Sequence, residues 1–300
     1  MFNSKDTREK STLGISMAVA DKRKLDKATL KAIGSKPILQ LSATLDGKSV
    51  NWSNPNAPVT IEIPYKPTAT ELKNPDHIVV WYIDGKGKVQ TVANGRYDAK
   101  TGTVTFTTTH FSIYAVAYVK KSFKDIAKLD VKKEIEFVAS KGIMKGKTET
   151  LFDPNAKVTR GDFIAYLVNT LNLTSVVKTN FADVKASNSN YTAIGTALGL
   201  GIISGTSKSN FNPNHLITKE DMAIYTVNAM KLSQKTLSSA FRKDLTKFSD
   251  ASKVSTKAVS SVAKLIKSGI LKIDGKLINA KGNLTRAEVA EVLYNIYKTE

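Results

Sequence analysis

The sequence predicts an α+β protein with segregated domains, an N-terminal antiparallel β-sandwich followed by three all-α helix-loop-helix repeats. Two changes along the chain support this. Apolar residues alternate with a period of two up to about Tyr118, and from Phe123 the period becomes helical. The helical part is also internally repetitive. The length of the whole chain, 300 residues, suits about two domains.

The β-rich part is predicted over residues 15–120. It contains a short polar segment, 26–34, which predicts a helix ending at Gly34, and a further strand and turn in 36–50. Several short strands at this spacing favour a small β-sandwich. The alternating segments are 59–65, 77–83, 88–92, 101–109 and 111–119.

Residues 1–14 are polar and charged and lack the apolar core of a secretory signal. We interpret them as a disordered segment or a remnant leader. If the protein works outside the cell, its signal peptide is not in this chain, and either the true start is missing or the chain is one piece of a longer protein.

The helical part contains three copies of one unit. Each begins with F-x-D, at Phe123, Phe181 and Phe248, which are 58 and 67 residues apart. In each copy a first amphipathic helix ends at a glycine, and a second begins after a loop. The longer second step reflects an insertion at 231–247. The predicted repeats are 123–178, 181–236 and 248–298.

The second helix of each repeat opens with threonine, a basic residue, any residue and an acid. Threonine at the N-cap and an acid three residues later form a capping box, which contributes about 1 kcal/mol per helix. We therefore predict structural caps in all three copies. The pairs are Thr159 with Asp162, Thr218 with Asp221, and Thr285 with Glu288.

The basic residue in the second position of this motif has no such explanation. Arg160, Lys219 and Arg286 each place a positive charge at a helix N-terminus, where it opposes the helix dipole. A cation beside free backbone N–H groups suits an anion such as a carboxylate or phosphate. The alternative is a solvated surface charge paired with a nearby acid. Because the cation recurs three times in register, we favour an anion-binding role.

With F-x-D, a helix, glycine-isoleucine, a loop ending in F-x-P and a T-R-x-[DE] helix, residues 123–297 resemble the S-layer homology (SLH) family. "LFDPNAKVTRGDF" and "NFNPNHLITKEDM" match its pattern closely. The resemblance implies a pseudo-threefold bundle that binds a secondary cell-wall polymer of Gram-positive bacteria, often through a pyruvyl ketal. It also implies ligand contacts by Arg160, Lys219 and Arg286, and a β-rich domain of the type that precedes SLH triplets.

Three departures from the family pattern bear on how many of the three repeats form a ligand-binding groove. Tryptophan is absent after each F-x-D, repeat two has Lys219 in place of arginine, and repeat three reads "KLINAKGNLTR" without F-x-P. The F-x-D acids, Asp125, Asp183 and Asp250, are expected to cap or brace the entry to the first helix.

We therefore expect a non-enzymatic, extracellular anchoring chain located in the cell wall or S-layer. Its expected partners are a pyruvylated wall glycan and peptidoglycan-associated polysaccharide. The net charge of +19 is consistent with an anionic partner. The lysines are dispersed, which disfavours nucleic acid, and no apolar run could span a membrane. We expect no metal and no cofactor, because the three histidines lack ligand spacing.

Two alternatives remain open. The chain is the anchor of a secreted enzyme whose catalytic module lies upstream, or its β domain cleaves itself at Phe111–Ser112. The second rests on "HFS", His110 to Ser112, which resembles the self-cleaving step of some autoproteolytic domains. In an ordinary strand, His110 and Ser112 would instead share one face while Phe111 packs inward.

Overall fold

A computed structural model describes residues 11–299 and divides them into two compact units. The first ends at Lys121 and includes Ser140–Gly142, and the second comprises Ser122–Ala139 and the chain from Ile143 onward. The first is built from antiparallel sheets and the second from helices, which confirms the predicted fold class.

The described part of the first unit contains nine strands in two sheets. The larger sheet has the order β1-β2-β9-β5-β6, with β3 paired to β2, and the smaller has the order β4-β8-β7. All pairings are antiparallel. The strands are β1 Leu13–Val19, β2 Ile38–Leu45, β3 Lys48–Val50, β4 Val59–Pro64, β5 Ile78–Ile83, β6 Val89–Val92, β7 Arg96–Asp98, β8 Thr103–Thr108 and β9 Ile113–Tyr118.

The two sheets enclose one hydrophobic core, as a sandwich requires. Ile78, Val80 and Val116 of the larger sheet share this core with Val104 and Phe106 of the smaller one, and all five are at most 2% exposed. In β8 every second residue is buried, which is the alternation that predicted this strand.

Helix α1, Lys27–Ile33, packs its Ile33 into a second apolar cluster with Ile38 and Ile83 of the larger sheet. Asp26 caps it by accepting a hydrogen bond from the Thr29 amide at 2.7 Å. The helix ends at Gly34 with φ of +59°, as predicted. A one-turn helix, α2 Ala69–Leu72, follows β4.

The structure corrects the N-terminal interpretation in part. Residues 1–10 lie outside the described residues, but β1 already begins at Leu13, inside the segment assigned to a leader. Leu13, Ile15, Met17 and Val19 alternate with smaller residues, so the strand signal was present. The side chains of these four residues are exposed, and β1 is held as an edge strand by its backbone pairing with β2.

The second unit is built from helix pairs, one pair per repeat, joined by long loops. The glycines that follow the first helices, Gly142, Gly201 and Gly269, adopt φ of +69°, +69° and +70°, the left-handed stop that the sequence predicts. The helices are α3 Lys132–Ser140 with α4 Arg160–Thr170, α5 Tyr191–Gly199 with α6 Lys219–Leu232, and α7 Val259–Lys267 with α8 Arg286–Lys298.

Three isolated β-bridges connect the loops that precede the second helices. Thr159 pairs with Leu216, Thr218 with Asn283, and Lys157 with Thr285. Repeat one is thereby joined to repeat two, two to three, and three back to one. The three threonine motifs therefore meet in a closed ring, the pseudo-threefold arrangement that the resemblance implied. Within residues 11–299, no helix combines the length and the apolar character needed to cross a membrane.

Candidate functional site: the ring of helix N-termini

The threonines of the repeated motif cap their own helices. Their Oγ1 atoms accept hydrogen bonds from the backbone amides three residues on, at 3.1 Å for Thr159 and 3.2 Å for Thr218 and Thr285. Only Glu288 completes the reciprocal capping box, by accepting from the Thr285 amide at 2.7 Å. The other two acids accept from side chains of a neighbouring repeat: Asp162 accepts from Asn190 Nδ2 of repeat two at 2.9 Å, and Asp221 accepts from Arg160 Nη1 of repeat one at 2.8 Å.

The first two backbone amides of each second helix are not free, contrary to our expectation. The amide of Arg160 donates to the carbonyl of His215 at 2.8 Å, that of Lys219 to Gly282 at 3.0 Å, and that of Arg286 to Ala156 at 2.8 Å. The next amide along donates in the same way, to Pro213, Ala280 and Pro154 respectively. Carbonyl groups of the neighbouring repeat thus accept the hydrogen bonds that these amides would otherwise have donated to an anion.

Arg160 is a buried connector between repeats one and two. Its Nε donates to the Phe211 carbonyl at 3.0 Å, Nη1 to Asp221 Oδ2 at 2.8 Å and Nη2 to the Tyr225 hydroxyl at 2.6 Å. The guanidinium lies 4.7 Å from the centre of the Phe211 ring, and the residue is 4% exposed. Each of its three nitrogens therefore donates to an internal partner, and the guanidinium also packs against an aromatic ring.

Arg286 makes the equivalent connection from repeat three to repeat one. Its Nε donates to the Phe152 carbonyl at 2.9 Å and its Nη2 to the Lys145 carbonyl at 2.6 Å, with the guanidinium 4.4 Å from the Phe152 ring centre. Burial raises the pKa of the nearby Tyr166, an effect that Asp162 adds to and Arg286 opposes. Unlike Arg160, Arg286 is only half-buried.

Lys219 forms the weakest of the three connections, from repeat two to repeat three. Its Nζ lies 3.2 Å from Glu288 Oε1, and the side chains are 15% and 40% exposed. Burial alone would raise the pKa of Glu288, but the Thr285 amide and the charge of Lys219 outweigh it and hold the pKa below its ordinary value. A single charge pair replaces the several bonds that each arginine makes.

The change from arginine to lysine matches changes on the surface that receives it. Seven residues before the threonine, repeats one and two have Phe152 and Phe211, whereas repeat three has Ile278. Seven residues after it, Tyr166 and Tyr225 correspond to Val292 in repeat three. Repeat three therefore offers neither an aromatic face nor a hydroxyl to an arginine, and the lysine of repeat two needs only the acid.

A second charge cluster supports the same seam. Glu220, 5% exposed, accepts from the Ser255 amide at 3.2 Å, from the Ser255 hydroxyl at 2.9 Å and from Lys281 Nζ at 2.6 Å. Burial alone would raise the pKa of Glu220, but these bonds and the lysine charge hold it below its ordinary value. Sequence reasoning missed this residue because the third motif position is glycine in repeat one and alanine in repeat three.

The F-x-D acids brace the loop before the second helix, and not the entry to the first helix as expected. Asp183 accepts from the amides of Phe211 and Asn212 at 2.9 and 2.7 Å. Asp125 and Asp250 bond the equivalent amides of their own repeats. The residue held in this way has a left-handed backbone in each repeat, with φ of +61° at Asp153, +56° at Asn212 and +51° at Asn279.

The proposed self-cleavage residues occupy an ordinary-looking part of the sandwich. The Ser112 hydroxyl donates to the Ile83 carbonyl at 3.1 Å, and the Phe111 ring packs against Trp52 in a tilted arrangement with ring centroids 4.5 Å apart. His110 Nε2 lies 3.4 Å from the Tyr114 hydroxyl, and burial lowers the pKa of His110. Cleavage at Phe111–Ser112 stays a prediction.

Comparison with known proteins agrees with the repeat structure. The family model of the S-layer homology domain matches residues 122–164, 180–223 and 247–290. An amylopullulanase of Thermoanaerobacterium thermosulfurigenes is 34% identical over 244 residues, 79% of this chain and 13% of its own length. The exoglucanase XynX of Acetivibrio thermocellus is 35% identical over 184 residues, 59% of this chain and 16% of its own.

A surface-layer 125 kDa protein of Lysinibacillus sphaericus is 30% identical over 153 residues, 51% of this chain and 12% of its own length. The chain thus spans less than a fifth of each of these relatives. S-layer homology domains bind cell-wall polymers and act as anchoring modules at the cell surface. Residues 122–290 are therefore three tandem S-layer homology domains, and this part of the chain belongs to that family.

Proposed function

We propose that the three repeats hold a longer surface protein on the cell wall by binding an acidic, pyruvylated secondary wall polysaccharide associated with peptidoglycan. The observation that carries the proposal is the closed ring of three repeats, each with a cation at its seam with the next. The excess of 45 basic over 26 acidic residues favours an anionic polymer.

The three motif cations contribute unequally in this proposal. Lys219 and Arg286 retain partial exposure, so they contact the ligand carboxylate from the seams of repeat three with its neighbours. Arg160 was expected to do the same, but its burial and three internal hydrogen bonds favour an indirect role. It keeps repeats one and two in register, which shapes the groove.

The longer protein supplies any catalytic activity. Among the relatives, the amylopullulanase and the exoglucanase carry the names of enzymes, and the surface-layer protein does not. We propose that this chain is itself non-enzymatic and that its function is attachment.

A wall-binding assay tests the proposal. Native and chemically depyruvylated wall preparations are incubated with the chain, and the bound fraction is measured between 50 and 500 mM salt, values on the order of those that screen exposed charges. We expect binding to native wall that weakens with salt and is lost on depyruvylation. Equal binding to both preparations would refute the pyruvyl assignment.

Substitution separates contact from register. Lys219→Met and Arg286→Gln are expected to weaken binding while the helical signal persists at the assay temperature. Lys272→Met is the matched control, because Lys272 also pairs with one acid, Glu291 at 2.7 Å, but lies away from the threonine motifs. If the control loses as much binding as Lys219→Met, the motif lysine has no special role.

A further inference from the structure

The insertion that precedes the third repeat forms a pocket that the ring of threonine motifs does not use. The pocket has a volume of about 320 Å³ and lies between residues 239–242 and the first two turns of α7. Its walls include Phe241, Arg242, Ser260 and Lys264. The volume is at the lower end of the roughly 300–1,000 Å³ typical of small-ligand sites, which suits one sugar residue.

Two cations line this pocket without an internal acid. Neither the guanidinium of Arg242 nor the ammonium of Lys264 makes a hydrogen bond or ion pair with any residue in the described range 11–299. The adjacent acid, Asp244, is occupied: it accepts from the Phe241 amide at 2.7 Å and pairs with Lys267 at 3.2 Å. The pocket therefore has uncompensated positive charge, which favours an anionic occupant.

The pocket also has an exposed aromatic wall. Phe241 is 63% exposed, whereas the phenylalanines that begin the three repeats, Phe123, Phe181 and Phe248, are at most 8% exposed. Its ring has no aromatic or cation partner among the described residues. An exposed aromatic face is suited to packing against the apolar face of a sugar ring, and the Ser260 hydroxyl can bond to a sugar hydroxyl.

We infer that this pocket is a second binding subsite, which takes one acidic sugar residue of a polysaccharide. Phe241 stacks on the sugar ring while Arg242 and Lys264 hold its carboxylate. The inference rests on the proposed function and extends it, because a polymer bound at the ring of repeats could be held at a second point. Two linked contacts bind a polymer more tightly than either one alone.

The test uses the whole chain and a trimer of galacturonic acid as the acidic probe, with maltotriose as the neutral control. Binding is followed by calorimetry and by the amide NMR signals of Phe241 and Ser260. We expect the acidic trimer to bind and to shift both signals. The double variant Arg242→Gln/Lys264→Gln should bind at least about tenfold more weakly, since it loses two charge-assisted contacts.

The variant Lys272→Gln is the matched control, because Lys272 pairs with Glu291 and does not line the pocket; it should bind the acidic trimer as the parent does. Equal binding of maltotriose, unshifted signals or an unchanged affinity of the double variant would overturn the subsite. Native wall polymer distinguishes this failure from that of the proposed function. If the parent binds the trimer but not the wall, the anchoring proposal fails and the subsite stands.

Discussion

Replacing Arg160 with methionine removes the most buried connection of the ring, and we expect a large loss of stability. Methionine replaces the aliphatic part of the arginine side chain but offers no donor to the Phe211 carbonyl, Asp221 or the Tyr225 hydroxyl. Breaking a buried ion pair on one side costs about 3–5 kcal/mol. Asp221 is 24% exposed, so water partly compensates it, but a buried hydroxyl left without its partner adds about 1–3 kcal/mol. We expect a net loss of about 4 kcal/mol in the free energy of unfolding.

Lys219→Met is the matched comparison within the same chain. This lysine makes one ion pair, with an acid that is 40% exposed, and such a pair contributes at most about 1 kcal/mol. Urea unfolding followed by the helical circular dichroism signal measures both variants, because the helix pairs lie in the second unit. The reasoning is refuted if Arg160→Met loses less than about 1 kcal/mol, or if Lys219→Met loses more than Arg160→Met.

Three further predictions concern acid stability, two glycines and salt. The pKa of Glu288 lies below its ordinary value of 4.5, so its ionised side chain stabilises the fold above that pH, and this stabilisation is lost as the pH falls through the lower pKa of the folded state. Glu288→Gln should therefore reduce the difference in urea midpoint between pH 7 and pH 3. Gly205→Ala should be more destabilising than Gly201→Ala, because a Cβ at Gly205 would lie closer than van der Waals contact to the backbone oxygens of Ser207 and Asn210. At Gly201 a Cβ would meet open space, and only the φ of +69° opposes alanine, at a cost of about 1–2 kcal/mol. Thermal melts of the two variants give the order, and the reverse order would contradict this reasoning. Wall binding should fall as salt rises, because salt screens the attraction between opposite charges. The urea midpoint of Lys219→Met should also change less with salt than that of the parent, and equal salt sensitivity in both would exclude the Lys219–Glu288 pair as a cause of the salt dependence of stability.

The repeat architecture could be predicted because its signals are local. Glycine stops, threonine caps and F-x-D markers each act within a few residues, and their spacing reveals the period without any knowledge of tertiary contacts. Sandwich strands such as Thr103–Thr108 were predictable for the same reason, since one buried face imposes alternation on the sequence.

The role of the motif cations could not be predicted because it depends on residues far away in the chain. Arg286 donates to the Phe152 carbonyl, 134 positions upstream, and no local sequence pattern predicts that pairing. For the same reason, the sequence did not reveal that the first amides of each second helix donate to carbonyls of a neighbouring repeat. One signal was available, however: Lys219, Ile278 and Val292 depart together from the pattern of the other repeats, as expected if they touch.

Closure has a consequence for how the array can be shortened. In an open solenoid, the terminal units have one free flank each, so a unit can be removed from the end with the loss of a single interface. Here the third repeat contacts both of the other repeats, through Thr285 and Asn283. Deleting the third repeat would remove two interfaces at once, so the three repeats should unfold as one cooperative block. A chain break in any linker between repeats should therefore be tolerated better than the loss of any one repeat.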